Sequence, residues 1–185
     1  MLKTSMLGWI SRFARDRRGV SAVEFAFVAP VMIGLYLGCV EVSDGVAADR
    51  KVSLIAGALA NLSAQVATIS TAEMTNILDA SSAIIAPYAA GKLKMTVTCL
   101  SIDATKTAHV KWSVTRNGAV ESGTLTIPPA LTVASSYPIY LIYSEVSYAY
   151  TPIVGYTITG TLTLSDQMYM APRITAPTYG ATACT

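Results

Sequence analysis

The sequence predicts an α+β fold with a long membrane-spanning helix at the N-terminus, a short second helix, and an antiparallel sheet in the C-terminal half. An apolar run near the N-terminus predicts the spanning helix, and an amphipathic pattern after it predicts a helical stem. From Leu93 onward, apolar side chains at every second position predict strands. We expect a basic segment at residues 1–19, a spanning helix at 20–42, the stem and second helix at 43–90, and a β-rich region at 91–185.

The composition indicates that part of the chain meets lipid. The 185 residues allow one modest domain together with a membrane anchor. Hydrophobic residues make up 52% of the chain and charged residues only 13%, whereas about 25% of the residues are charged in an average soluble domain.

The basic charge is confined to the N-terminus. Five of the 13 basic residues and one of the 11 acidic residues lie before Gly19, which leaves 8 bases and 10 acids for the rest. A nucleic-acid-binding body needs a basic surface, so this distribution excludes that class of partner. No small-molecule substrate is expected either.

The spanning segment runs from Val20 to Val40, and Glu24 is its only charged residue. About 20 predominantly apolar residues suffice to cross a bilayer. The bases before the segment, and Glu41 and Asp44 after it, predict by the positive-inside rule that the N-terminus is cytoplasmic and the body lies outside.

Two simpler interpretations compete with a functional span. An ordinary secretory signal peptide has an apolar region of about 7–15 residues without a carboxylate, and this run is longer and contains Glu24. A plain signal anchor is the second alternative. A carboxylate within a spanning helix costs a few kcal/mol, so Glu24 is a candidate functional residue; its simplest alternative role is a side chain that extends to the cytoplasmic interface.

The N-terminal residues resemble those of the TadE/TadF-like proteins of Tad (Flp) pilus systems. That family carries a basic leader, a glycine, a glutamate five residues later followed by an aromatic residue, a proline, and a long apolar run that ends in an acid. The matching positions here are Arg17, Arg18, Gly19, Glu24, Phe25, Pro30 and Glu41. Two C-terminal segments are also similar to the family, one with Tyr148, Tyr150 and Pro152, the other at residues 168–173.

The resemblance implies a minor pilin or pseudopilin in the bacterial inner membrane, with a pilin-like body in the periplasm. A prepilin peptidase would cut a leader of residues 1–19 after Gly19, so that Val20 becomes the first mature residue. Glu24 would then pair with a free N-terminal amine, its own or a neighbour's. Other Tad pilins and the inner-membrane pilus platform are the implied partners, and the implied roles are pilus initiation, assembly, or tip and adhesion functions.

Two features of the span bear on packing. Gly34 and Gly38 form a small-xxx-small pair that would allow another helix to approach closely, although such a pair also occurs in single-pass anchors. Pro30 removes one helical hydrogen bond, which predicts a kink or a locally loosened helix.

Beyond the span, an amphipathic pattern predicts that the helix continues to about Val66. Ser70 and Glu73 then predict a capping box that starts the second helix, which should stop near Pro87. Strands are predicted at 93–99, 109–114, 137–150 and 155–164, with a hairpin turn at Asn117-Gly118 that leads to a returning strand at Leu125 and Ile127.

The cysteines suggest a structural bond rather than a reactive site. An exported body makes a disulfide between Cys99, on the inward face of a strand, and Cys184 plausible, whereas Cys39 lies in the span as a small apolar residue. His109 falls on the polar face of its strand, which predicts an exposed side chain.

No residue pattern predicts catalysis. The sequence lacks metal-ligand spacing, a phosphate-binding glycine loop and a nucleophile elbow, so neither an enzyme nor a cofactor is expected. Two other classes stay open at this point. One is an exported envelope-structural or binding domain on an uncleaved anchor, and the other is an enzyme with a cleft that the sequence does not reveal.

Overall fold

The computed structural model describes residues 18–134, 136–152, 155 and 160–185. Most of the predicted leader, residues 1–17, lies outside the described residues. A long helix, a short second helix and an antiparallel sheet follow one another along the chain. The α+β fold class predicted from the sequence is therefore confirmed.

The first helix, α1, comprises Arg18–Ala64 and contains both the apolar segment and the predicted stem. It continues through Pro30, and neither Gly45 nor Gly57 ends it. A glycine inside a helix costs about 1 kcal/mol relative to alanine. Full burial of a large apolar side chain stabilises by about 1.5–3 kcal/mol, and Ile55 and Leu59 are both fully buried. Packing of the helix on the sheet therefore outweighs the cost of the glycines.

The second helix, α2, comprises Thr71–Ser82 and begins with the predicted capping box. The backbone N–H of Glu73 donates to Ser70 Oγ at 3.2 Å, and the backbone N–H of Ser70 donates to Glu73 Oε2 at 2.7 Å. A 3₁₀ turn at Ala83–Ile85 follows, and a second one at Ala90–Lys92 leads into the sheet.

The main sheet contains five antiparallel strands: β2 at Leu93–Ile102, β3 at Ala108–Arg116, β4 at Thr124–Leu125, β5 at Ile139–Tyr150 and β6 at Leu162–Met170. Their order across the sheet is β4-β3-β2-β5-β6. A separate parallel pair joins β1, Thr68–Ile69, to β7, Thr178–Tyr179. This small pair ties the C-terminal segment to the chain just beyond α1.

The C-terminal half of α1 packs on one face of the sheet and forms the main core with it. The fully buried side chains from the helix include Val52, Ile55 and Leu59, and those from the sheet include Val97 and Val146. A smaller cluster lies around Leu100, Ile102, Ala108, Ile127, Leu141 and Tyr143. The stem and the sheet therefore share one core.

The structure corrects two strand predictions. The strand predicted at Gly155–Leu164 is confirmed only at its end: residues 156–159 lie outside the described residues, Gly160 and Thr161 are not in a strand, and β6 comprises Leu162–Met170. Three alternate residues of β6 pair with the helix-facing side chains of β5: Leu164, Asp166 and Met168. Because the middle one is a carboxylate, the sequence of β6 does not show a clear apolar alternation.

The turn at Asn117-Gly118 lies where it is predicted, but the returning strand is short. Asn117 has a positive φ of 59°, and its Nδ2 donates to the Leu93 carbonyl at 3.0 Å. A Cβ at Gly118 would lie 2.7 Å from Thr115 Oγ1, so any side chain at this position would displace that hydroxyl. Strand β4 contains only Thr124–Leu125, and the predicted return through Ile127 is therefore wrong beyond Leu125.

Candidate functional site

The apolar half of α1, residues 19–40, extends from the body, and its residues are exposed or half-buried. Among the described residues, α1 is the one helix that is long and apolar enough to cross a membrane, with an 18-residue stretch of mean hydropathy 2.0 in which no residue is buried. Phe25 and Phe27 are 72% and 74% exposed. An uninterrupted apolar surface of this size is unfavourable in water, so lipid or other helices must cover it. A membrane anchor fits these observations.

Four of the predicted site residues lie on one side of α1, namely Val20, Glu24, Gly34 and Gly38. Gly19 and Val20 lie in its first turn, and Glu24 is exposed one turn later. Positions four apart in a helix lie on the same face, so Glu24 is on the face of Val20. Gly38 follows Val20 by five turns, at 3.6 residues per turn, and returns to that face. Gly34 is one turn before it.

Phe25 and Pro30 complete the predicted set. Both are exposed on the apolar half of α1, like Glu24. Within the part of the chain that the structure describes, the predicted assembly residues are exposed, and they are brought together only along the helix. Their surface is therefore available to lipid or to another helix.

A cluster that the sequence analysis missed joins α1 to the body where the apolar half ends. Asp44 Oδ1 accepts a hydrogen bond from the Tyr88 hydroxyl at 2.7 Å, and Asp44 Oδ2 accepts one from the Tyr150 hydroxyl at 2.8 Å. Glu41, one turn earlier, is only 3% exposed. We call Asp44, Tyr88 and Tyr150 the tyrosine clamp.

A lysine two turns beyond Asp44 binds the same region of the body. Lys51 Nζ donates to the carbonyls of Ile84 and Ala86, at 3.1 Å and 2.6 Å. Together with the tyrosine clamp, these bonds hold the segment before β2 against α1. The body is therefore fixed to the helix directly after the apolar half.

Burial and the Asp44 carboxylate raise the pKa values of both tyrosines of the clamp. Burial is the larger cause, and the pKa of Tyr150 rises to about 12; the pKa of Tyr88 also rises, for the same reasons. An unfolded tyrosine ionises near pH 10, so the unfolded chain loses these protons first. The stabilisation by the clamp is complete below about pH 10 and is lost as the pH rises towards about 12.

We predict that Asp44→Asn lowers the free energy of unfolding at neutral pH by about 1.5–3 kcal/mol, the value of a hydrogen bond to a charged group. It should also make stability fall less steeply between pH 10 and pH 12, because the negative charge that helps raise the tyrosine pKa values is gone. Denaturant unfolding at several pH values measures both effects. Asp49→Asn, at an exposed acid on the same helix, should behave like the native chain, and equal effects of the two variants would contradict the assignment.

Cys99 and Cys184 form a disulfide in the structure, with their Cα atoms 5.9 Å apart. Both residues are fully buried beside the helix-facing core. Trp112 Nε1 donates to the Pro177 carbonyl at 3.0 Å and further fixes the C-terminal segment. Cys39 is a free, exposed cysteine in the apolar half of α1.

His109 pairs with a carboxylate of the β2–β3 turn instead of extending freely into solvent. Its Nε2 lies 3.0 Å from Asp103 Oδ2, and its side chain is 45% exposed. Hydrogen bonds to the carboxylate, first that from the Thr105 hydroxyl, hold the pKa of Asp103 well below its usual range. In the part of the chain that the structure describes, no group of three metal-ligating side chains occurs. The Asp103–His109 pair is therefore interpreted as a contact that stabilises the β2–β3 turn.

Comparison with known proteins yields one family. A model of the TadE-like protein family matches residues 19–56, about a fifth of the chain. The matched segment contains Gly19, Glu24, Pro30 and Glu41, and the resemblance that these residues indicate is confirmed over it. Comparison with curated proteins and with solved structures gave no significant match.

Proposed function

Since this chain is TadE-like over residues 19–56, we propose that it works as a minor pilin or pseudopilin of a Tad (Flp) type IV-like pilus. The observation that carries the proposal is the exposed apolar half of α1, with Val20, Glu24 and Gly38 along one face. A body that packs only on the second half of α1 leaves this surface free to pack with other pilin helices.

The proposed first step is proteolysis at the cytoplasmic face of the inner membrane. A prepilin peptidase removes residues 1–19, with their five bases, and Val20 becomes the N-terminal residue. Glycine presents no side chain that would obstruct the enzyme. The leader is drawn to anionic headgroups by its bases, so its removal also releases the N-terminus from that layer.

The proposed second step pairs the new amine with Glu24. An isolated carboxylate in a bilayer is costly, and a partner of opposite charge offsets the desolvation of both groups. Val20 and Glu24 lie on one helix face, about 6 Å apart along the axis at 1.5 Å per residue. The amine of the same chain, or that of a neighbouring pilin at the same depth, can therefore meet the carboxylate.

The proposed third step is association of spans. Gly34 and Gly38 lie one turn apart on the Glu24 side of α1, where small residues permit close approach of another helix. In this arrangement the N-terminus is cytoplasmic and the body periplasmic, and the subunit acts in pilus initiation, in assembly, or at the tip in adhesion.

We predict that Gly19→Leu blocks removal of the leader in cells that make the prepilin peptidase. A Cβ at Gly19 would meet none of the described residues within 4 Å, so the substitution should leave the fold of these residues intact. A gel or mass comparison of cells with and without the peptidase reports cleavage. Gly57→Leu is a matched control, because a Cβ at Gly57 also meets nothing within 4 Å and Gly57 lies far from the cut.

The native chain should shorten only in peptidase-positive cells, and Gly57→Leu should shorten with it. A native chain of unchanged mass in those cells would contradict the proposal. That result would favour an exported envelope-structural or binding domain held by an uncleaved anchor.

A further inference from the structure

The body meets α1 immediately after the apolar half, with no free stem between them. Val40 is 44% exposed, and Glu41, the next residue, is only 3% exposed. Asp44, one turn later, already holds Tyr88 and Tyr150. The depth of the span in the membrane therefore fixes the height of the body above it.

That height is small. Residues 19–40 form a helical segment of about 33 Å at 1.5 Å per residue, which matches a hydrocarbon core of about 30 Å. Asp44 lies about 6 Å further along the axis. The headgroup region adds about 5–7 Å on each side of the core, so the tyrosine clamp lies within it.

Two hydrogen bonds fix the direction of the sheet relative to α1. Tyr150 of β5 donates to Asp44, and Ser144 Oγ of the same strand donates to the Ala56 carbonyl at 2.7 Å. Tyr150 and Ser144 are six residues apart, which is about 20 Å along a strand. Their partners Asp44 and Ala56 are twelve residues apart, which is about 18 Å along a helix. Strand β5 therefore runs nearly along α1, and its Tyr150 end faces the membrane.

The segment next to the tyrosine clamp, at the Tyr150 end of β5, has a composition suited to contact with lipid headgroups. Residues 89–92 are exposed, and Lys92 Nζ donates to Thr151 Oγ1 at 3.2 Å. The chain carries Lys92 and Lys94 but no acidic residue between Asp79 and Asp103. Lysines near a membrane surface are attracted to anionic lipids, and tyrosines are enriched at this depth.

We infer that the end of the body formed by Tyr88–Lys92 and Thr151, which we call the membrane rim, lies in the lipid headgroup layer. This inference rests on the membrane anchoring within the proposed function, and it adds a second membrane contact besides the span. The rim would hold the body upright on the bilayer.

Fluorescence quenching in vesicles of phosphatidylcholine and phosphatidylglycerol tests the rim on the full chain. One fluorophore at a time is attached to Cys39 of the native chain, or to Ala90→Cys or Ala104→Cys in a Cys39→Ala background. Ala90 and Ala104 are exposed residues beyond opposite ends of β2; the ten residues of that strand span about 33 Å. Quenchers are placed on the headgroup or on the upper part of the acyl chains, because Cys39 lies one residue inside the end of the span.

We expect the headgroup quencher to cause a large loss of fluorescence at Ala90→Cys and none at Ala104→Cys. The acyl-chain quencher should act on Cys39 alone. Equal, weak quenching at Ala90→Cys and Ala104→Cys, with Cys39 quenched from the acyl chains, would overturn the rim but leave the anchor intact. Absence of acyl-chain quenching at Cys39 would overturn the span, and with it both the rim and the proposed function.

Discussion

Glu24→Gln should cost the chain its association with other pilins while α1 stays in the membrane. Glutamine has nearly the same shape, and Glu24 is exposed and far from the body, so the fold is not affected. The amine of Val20, or that of a neighbour, would lose its partner. Removal of one member of a buried ion pair costs about 3–5 kcal/mol, which is roughly a hundredfold or more in affinity.

The measurement is copurification of the chain with other pilins from cells that carry the complete pilus system, together with a count of pili. Both should fall sharply for Glu24→Gln. Glu121→Gln, at an acid of the body that is far from the span in sequence, should leave both values unchanged. Normal copurification and normal piliation of Glu24→Gln would remove the reason for an acid in the span and contradict the pilin mechanism.

Cys184→Ser should destabilise the body by about 2–5 kcal/mol, the usual cost of losing a disulfide in a small exported domain. The two cysteines are separated by 85 positions, and release of such a long loop gives the unfolded chain much conformational freedom. The substitution also places a hydroxyl at a fully buried position. For a chain of this size, each kcal/mol lowers the melting temperature by about 2–4 °C.

Thermal unfolding with and without reductant separates these effects. The native chain should lose stability on reduction, whereas Cys184→Ser should be insensitive to reductant. Cys39→Ser is the control, because Cys39 is free and exposed in α1 and its loss should leave melting unchanged. When the chain without substitutions is denatured but not reduced, thiol labelling should modify Cys39 alone. Labelling of all three cysteines would show that the disulfide is absent.

The sequence predicts those elements that depend on local patterns. The length of α1 follows from an apolar run continued by an amphipathic one, and the start of α2 follows from Ser70 and Glu73, three residues apart. Strands β2 and β3 show a clear period of two. Each of these signals lies within a short window, so tertiary contacts are not needed to recognise it.

The errors arise where distant contacts decide the structure. In β6, Asp166 interrupts the apolar alternation, so the strand is predicted to end at Leu164 although it continues to Met170. The return after Gly118 pairs with β3 for only two residues, although its turn is correctly predicted. Local patterns do not reveal how far two strands stay paired.

The tyrosine clamp was missed for the same reason. Asp44 meets Tyr88 and Tyr150 across 44 and 106 positions of the chain, and no spacing rule connects them. One signal was present: an acid directly after an apolar span, together with tyrosines that lie on a strand. The residues proposed for assembly could be predicted from the sequence because their pattern lies within one continuous helix.

The N-terminal sequence of the mature chain, isolated from cells that contain the prepilin peptidase, tests the central claim most directly. We expect the first residue to be Val20, with a free amine four positions before Glu24. A chain that still begins at Met1, or that begins at any residue other than Val20, would contradict the claim that processing supplies the charge that accompanies Glu24 in the membrane.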